Sequence, residues 1–334
     1  MDQLKIGVIG CGGHASSHFR MIADEPRLRL EGIAELDAER RERTAAEWGP
    51  AQIFADYRQL LDSCDLDLVH VITMPGHLLK IVIDCLERDL HTSVEKSPGM
   101  NSAETVAMAA AAQKSKGKAI VSLNRRYIPQ VLAARRAVQE RGGAVHCAAT
   151  YNKPLINLVG PKWEGIAPDP LICDAIHHVD ILRWLAGPSQ CEAALPVAVY
   201  SEVEDGERLG THRHNAVIHF DSGAIAAMMS HYGVGYRIQR AEVHAEDLSI
   251  YMDLTRGPHC EFYDGQQEGR DPQEPLDLEA VGGANFNEVR HFVDCILADQ
   301  KPWSTLDDAI HTMRLCEAIR GGHKGALDTT SAGS

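Results

Sequence analysis

Lys5-Ile6-Gly7-Val8-Ile9-Gly10-Cys11-Gly12-Gly13-His14-Ala15 runs from an apolar strand signal through a glycine-rich turn into the start of a helix. That context gives a G-x-G-x-x-G/A pattern its meaning. Gly10, Gly12 and Gly13 let the backbone approach a pyrophosphate, and the helix opening at His14 and Ala15 offers free N–H groups and a favourable dipole. Glu35 stands at the end of the next apolar run, about 20 residues further on, where a carboxylate can accept hydrogen bonds from ribose hydroxyls. It would repel a 2′-phosphate, and the adjacent Leu36 brings no cation, so NAD is favoured over NADP.

Outward from this stretch, apolar runs at 28–34, 66–72, 91–94 and 119–123 alternate with helical patterns. Such alternation predicts buried parallel strands in a doubly wound α/β sheet over residues 1–124. A helix over 102–116 carries its own punctuation: Asn101 as cap, Glu104 three residues on, and Gly117 beyond the end. The pattern then changes. After a helix over 129–140, strand signals at 144–152, 195–203, 214–221, 224–232, 239–247 and 249–254 follow one another with one interruption, a helix over 174–185. Asp221-Ser222-Gly223 is a hairpin turn between two of them. Residues 125–328 therefore read as an α+β domain built on a mostly antiparallel sheet, with two closing helices over 285–297 and 305–319. The small-residue tail 329–334 is expected to fray.

Composition excludes several function classes. The formal net charge of −14, with no compensating Lys/Arg block, disfavours nucleic acid and anionic membrane surfaces. No apolar run approaches the roughly 20 residues of a membrane helix, and the first strand signal begins at Leu4, so a cytoplasmic location is expected. Nine cysteines, an odd number without a Cys-x-x-Cys pair, read as reduced thiols. No metal site is expected. His177-His178 and His212-Arg213-His214 invite the thought of zinc, but no third ligand stands at zinc spacing.

Three further segments carry chemistry. Thr73-Met74-Pro75-Gly76-His77 ends a strand signal and opens a helix, at the carboxyl edge that borders the ligand crevice in doubly wound folds. Glu95-Lys96 follows the next strand onto the same edge. A lysine there can hydrogen-bond a substrate hydroxyl and stabilise alkoxide character as hydride leaves, and Glu95 can hold the side chain or tune its charge. In Cys173-Asp174-Ala175-Ile176-His177-His178-Val179-Asp180, a carboxylate and an imidazole within one helical turn can form an oriented acid/base unit. Adjacent histidines project about 100° apart on a helix, so one of the two faces a cleft.

Together these segments resemble the Gfo/Idh/MocA family of sugar and polyol oxidoreductases, from Lys5 to about Gly325. The resemblance implies a Rossmann domain followed by a large, mostly antiparallel sheet, and a homodimer or homotetramer formed through that sheet. It also implies oxidation of a secondary hydroxyl of a sugar, inositol or related polyol, with hydride passed to NAD. Lys96 and a histidine of the 174–178 segment would be the catalytic groups. Two departures stand out. The family's Glu-Lys-Pro reads Glu95-Lys96-Ser97, with proline displaced to Pro98. For the Asp-x-x-x-His pair, alignment on Asp180 and Arg183-Trp184-Leu185 makes His177 the catalytic counterpart and sets Cys173 in place of aspartate, whereas alignment on Asp174 selects His178. The ungapped match prefers His177. Asn124 and Arg125 are expected near the cofactor, and Arg125, Tyr127, Tyr151, Asn152 and Trp163 near the substrate. Redox-neutral NAD-dependent glycoside cleavage or elimination, and a non-catalytic NAD sensor, remain as alternatives.

Overall fold

The structure, a computed structural model, describes residues 3–155, 158–266 and 277–328. The tail at 329–334 lies outside them. The chain divides into two units, the first of residues 1–122 with 287–309 and the second of residues 123–286 with 310–334.

The first unit is a six-stranded parallel sheet: β1 (Leu4–Ile9), β2 (Leu28–Ala34), β3 (Gln52–Phe54), β4 (Leu68–Val71), β5 (His91–Val94) and β6 (Ala119–Val121). Its order is β3-β2-β1-β4-β5-β6, so the winding reverses between β1 and β4. Their near-continuous burial is what a parallel sheet covered on both faces requires. Five helices connect the strands: α1 (Ala15–Ala23), α2 (Ala38–Trp48), α3 (Tyr57–Ser63), α4 (Pro75–Leu86) and α5 (Ser102–Ala112). Asn101 caps α5 by accepting the Glu104 N–H at 3.0 Å, while Glu104 accepts the Met100 N–H at 2.8 Å. α5 ends earlier than its periodicity predicts, because the Lys114 N–H turns back to Ala111 and the Lys116 N–H is taken by Asp89. β3 was missed, being three residues long and half exposed.

The second unit opens with a 3-10 turn at Asn124–Tyr127 and α6 (Pro129–Glu140). Its eight-stranded sheet comprises β7 (His146–Asn152), β8 (Pro196–Glu204), β9 (Arg213–Phe220), β10 (Ile225–His231), β11 (Ile238–Ala245), β12 (Leu248–Asp253), β13 (His259–Asp264) and β14 (Lys324–Ala326). The order is β13-β12-β11-β7-β10-β9-β8-β14, and every pairing is antiparallel except β7 with β10. Both edge strands, β13 and β14, escaped the sequence reading. The expected turn at Asp221-Ser222-Gly223 joins β9 to β10, with Gly223 at φ +87° and its N–H donated to Phe220. α6 and α7 (Ile176–Leu185) pack on one face of this sheet. The other face carries exposed Tyr200, Val217, Ile225, Met229 and Tyr251. Under α7, Arg126 holds Asp180 through bonds of 2.7 and 2.6 Å, and Thr312 joins them, which satisfies a fully buried charge pair.

The last helices part company. α8 (Glu288–Leu297) falls within the first unit, where Ser304 exchanges 2.7 Å bonds with Val121 on the β6 edge. Most of α9 (Leu306–Arg320) falls in the second. None of the nine cysteines forms a disulfide. Among the described residues no helix is long and apolar enough to cross a membrane.

Candidate active site

Because β1, β4 and β5 are adjacent and parallel, the three segments that follow them emerge side by side at one edge of the sheet. Gly10 adopts φ +94°, and a Cβ there would collide with the Ile72 carbonyl. Gly12 and Gly13 face open space instead. No side chain caps α1 at His14, which leaves its amino end to a ligand. Glu35 accepts the Cys11 N–H at 2.8 Å with one oxygen and the Asp37 N–H at 3.0 Å with the other. A carboxylate offers further lone pairs, so ribose hydroxyls can still be accepted. Leu36 is exposed, but Arg40 reaches Glu35 at 3.5 Å and Arg41 donates to its backbone carbonyl at 2.8 Å, both brought back by the first turns of α2.

Thr73 follows β4, and its buried hydroxyl has no hydrogen-bond partner. Met74 caps α4 in an extended conformation, Pro75 is its first residue, and His77 is exposed. An orphaned hydroxyl, open space at two glycines and an uncapped helix end on one sheet edge fit a dinucleotide. Glu95 and Lys96 follow β5, and the Lys96–Ser97 peptide is cis although residue 97 is serine.

Behind Lys96 lies a cluster absent from the sequence reading. His18 Nε2 is 3.0 Å from Glu95 Oε2 and His18 Nδ1 is 3.6 Å from Glu288 Oε1. Ser122 donates to Glu288 at 2.9 Å, and the His70 ring stands edge-on to His18 at 4.5 Å. Burial alone would lower the His18 pKa, but the Glu95 and Glu288 charges outweigh it and leave the pKa raised. Glu95 is likewise held below the usual range: its burial is outweighed by His18, with Lys96 adding. No pattern in the sequence links residues 18, 95 and 288.

In the second unit, a π-helical turn over Leu171–Ala175 precedes α7 and sets Asp174 against β7. Tyr151 donates to Asp174 at 2.9 Å, Lys153 at 2.8 Å and Tyr232 at 3.3 Å. Lys153 and Tyr232 were not foreseen, since strand register brings them to Asp174. His177 retains 6 % exposure and His178 none. The His178 ring packs edge-on to Tyr151 at 4.8 Å, neither of its nitrogens has a hydrogen-bond partner, and burial, then Arg125, push its pKa down to about 3. His178 is thus the more enclosed of the two candidate histidines. Tyr127 is 2 % exposed. Tyr151 is equally buried and acts through its hydroxyl on Asp174. Arg125 bonds Gln239 at 3.0 Å and Asn124 at 3.2 Å, Asn152 has a buried carbonyl oxygen without a partner, and Trp163 is half-buried beneath Lys162.

Two family models match the chain, an oxidoreductase NAD-binding Rossmann fold over residues 4–123 and an oxidoreductase C-terminal alpha/beta domain over residues 163–324. The chain belongs to the Gfo/Idh/MocA oxidoreductase family. Its first domain is therefore the NAD-binding Rossmann domain of this family, and the protein is an NAD-dependent oxidoreductase. Among Gfo/Idh/MocA relatives, an uncharacterized oxidoreductase, YrbE, of Bacillus subtilis is 24% identical over 95% of this chain and 94% of its own. Inositol 2-dehydrogenase 2 of Paenarthrobacter aurescens is 30% identical over 57% of this chain and 58% of its own. A levoglucosan dehydrogenase solved with NADH and L-sorbose has the same fold, with a TM-score of 0.81 and 19% identity over 96% of this chain and 97% of that one.

Proposed function

We propose that this protein oxidises a secondary hydroxyl of a sugar, inositol or related polyol, with Lys96 and His177 as its catalytic groups. The observation that carries the reading is Lys96 itself. It is a cation at the carboxyl end of β5, on the sheet edge shared with the glycine turn and Thr73, and it is backed by the buried Glu95–His18–Glu288 cluster. Bound NAD supplies the two-electron acceptor. Lys96 Nζ orients the substrate hydroxyl and stabilises the negative charge that grows on its oxygen. His177 accepts the hydroxyl proton. Asp174, tied down by Tyr151, Tyr232 and Lys153, fixes the start of α7 and hence the direction of His177. Arg125, Asn152, Lys153 and Trp163 offer polar and aromatic contacts suited to a polyhydroxylated ring. Relatives named inositol 2-dehydrogenase and D-apiose dehydrogenase support such a substrate.

The same reading makes the chain a homodimer or homotetramer through the helix-free face of its eight-stranded sheet. The exposed Tyr200, Val217, Met229 and Tyr251 there form an apolar surface that favours a self-partner. Analytical ultracentrifugation returning a monomer at micromolar concentration would remove this part of the proposal.

A screen of inositols, aldoses and sugar acids with NAD, followed by near-ultraviolet NADH absorbance, tests the reaction. Steady NADH formation with at least one polyol supports it. A protein that binds NAD and turns over none of them overturns it.

A further inference from the structure

We propose that His146, Glu242 and His244 bind a divalent first-row cation of the zinc class on the helix-free face of the eight-stranded sheet, the face proposed above for self-association. This site is separate from the Lys96 and His177 residues and does not depend on their roles. His146 on β7 and His244 on β11 are direct cross-strand partners, and Glu242 lies two residues before His244, on the same face. Their donor atoms all fall within 4.8 Å of one another. Ligands of a tetrahedral zinc are about 3.3 Å apart when its bonds are about 2.0–2.1 Å, so modest side-chain rotations close the set.

Three features favour a cation over a chance grouping. First, His244 Nδ1 is engaged by the Ser249 hydroxyl at 2.9 Å, and it is His244 Nε2 that faces Glu242 Oε1 at 3.7 Å. A ligating imidazole whose other nitrogen is fixed by a hydrogen bond is the usual outer-shell arrangement of a metal site. Second, among the described residues no lysine or arginine pairs with these three side chains. Arg240, on the same face, donates to Asp253 at 3.1 Å, and the side chains of His146 and Glu242 form no hydrogen bond among the described residues. Third, the ligands stand on neighbouring inner strands of the sheet, flanked by β10 and β12, so the backbone holds them in register.

The donor set selects the ion. Two imidazoles and one carboxylate suit zinc, nickel, copper or cobalt, whereas calcium and magnesium call for oxygen ligands. Three protein ligands leave a fourth position open. It adjoins a shallow cleft of about 460 Å³ lined by Glu242, Tyr251, His259 and Glu261. Sequence spacing hid the site, because its ligands lie almost a hundred residues apart and meet only through β7–β11 pairing.

The test is titration of the chelator-treated full chain with zinc chloride by calorimetry, and with cobalt chloride by visible absorption. One zinc per chain is expected, together with the absorption bands of four-coordinate cobalt. Affinity should fall about tenfold in Ser249→Ala, and by more than the outer-shell range of about 10–100-fold in His146→Ala, His244→Ala and Glu242→Gln. His219→Ala, on the same face, should bind as the parent does. These side chains are partly or fully exposed, so circular dichroism should show each variant folded. Absence of stoichiometric zinc binding, or binding that survives in both His146→Ala and His244→Ala, overturns the site.

Discussion

His18 Nε2 stands 3.0 Å from Glu95 Oε2, and both side chains are buried. With Glu288 3.6 Å from its other nitrogen, His18 lies between two buried carboxylates, whose charges raise its pKa against its burial. Removing one member of a buried ion cluster leaves an uncompensated charge, at a cost of about 3–5 kcal/mol. His18→Ala should therefore lose that much in chemical denaturation of the first unit. A loss below about 1 kcal/mol would mean that the carboxylates share a proton without help from His18. The His18 pKa is raised, so its contribution is complete below the unfolded value near 6.5 and fades as pH climbs through the folded one.

Glu35 accepts the Cys11 N–H and lies 3.5 Å from Arg40, and we propose that it sets cofactor choice. In Glu35→Ser, NAD loses its ribose acceptor while the Arg40 guanidinium is released beside a 2′-phosphate. A hydrogen bond to a charged group contributes about 1.5–3 kcal/mol, so NAD affinity should fall about 10–100-fold while NADP affinity rises. Parallel calorimetric titrations with the two cofactors read the outcome. Equal weakening of both would show that Arg40 does not reach the phosphate.

Much of this organisation was legible in the chain. The glycine turn, Glu35, Thr73 and Lys96 were readable because each follows an apolar run, and a parallel sheet places every strand end on one edge. Hidden were contacts made by register or by long-range packing. Lys153 and Tyr232 meet Asp174 only once β7 and β10 are paired, and Glu288 comes to His18 from α8. Periodicity also could not separate His177 from His178, since neighbouring positions on a fully buried helix carry no polar face to orient it.

Variants separate those two histidines. His177→Ala should lower kcat about 10²–10⁴-fold, the range of a lost general base, with little change in Tm. His178→Ala removes a sealed ring packed on Tyr151 and should lower Tm while the folded enzyme keeps its turnover. Lys96→Ala should reduce kcat about 10²–10³-fold and leave NAD binding intact. A kcat loss confined to His178→Ala would reverse the assignment.

Four buried histidines predict where the protein becomes acid-sensitive. Burial holds His178 near 3, His214 and His291 near 4, and His70 well below its ordinary value. In the unfolded chain each takes a proton near pH 6.5, whereas in the folded chain it does not until its own lower pKa is reached. Between those values the unfolded state binds more protons, so stability falls as pH drops, by up to about 1.4 kcal/mol per pH unit for each histidine. From these four groups calorimetric Tm should begin to fall near pH 6.5 and keep falling towards pH 4. His70 and His291 belong to the first unit and His178 and His214 to the second, so both should soften over this window. A Tm that stays level from pH 7 down to pH 5 would show that these imidazoles gain protons, and solvent, without unfolding.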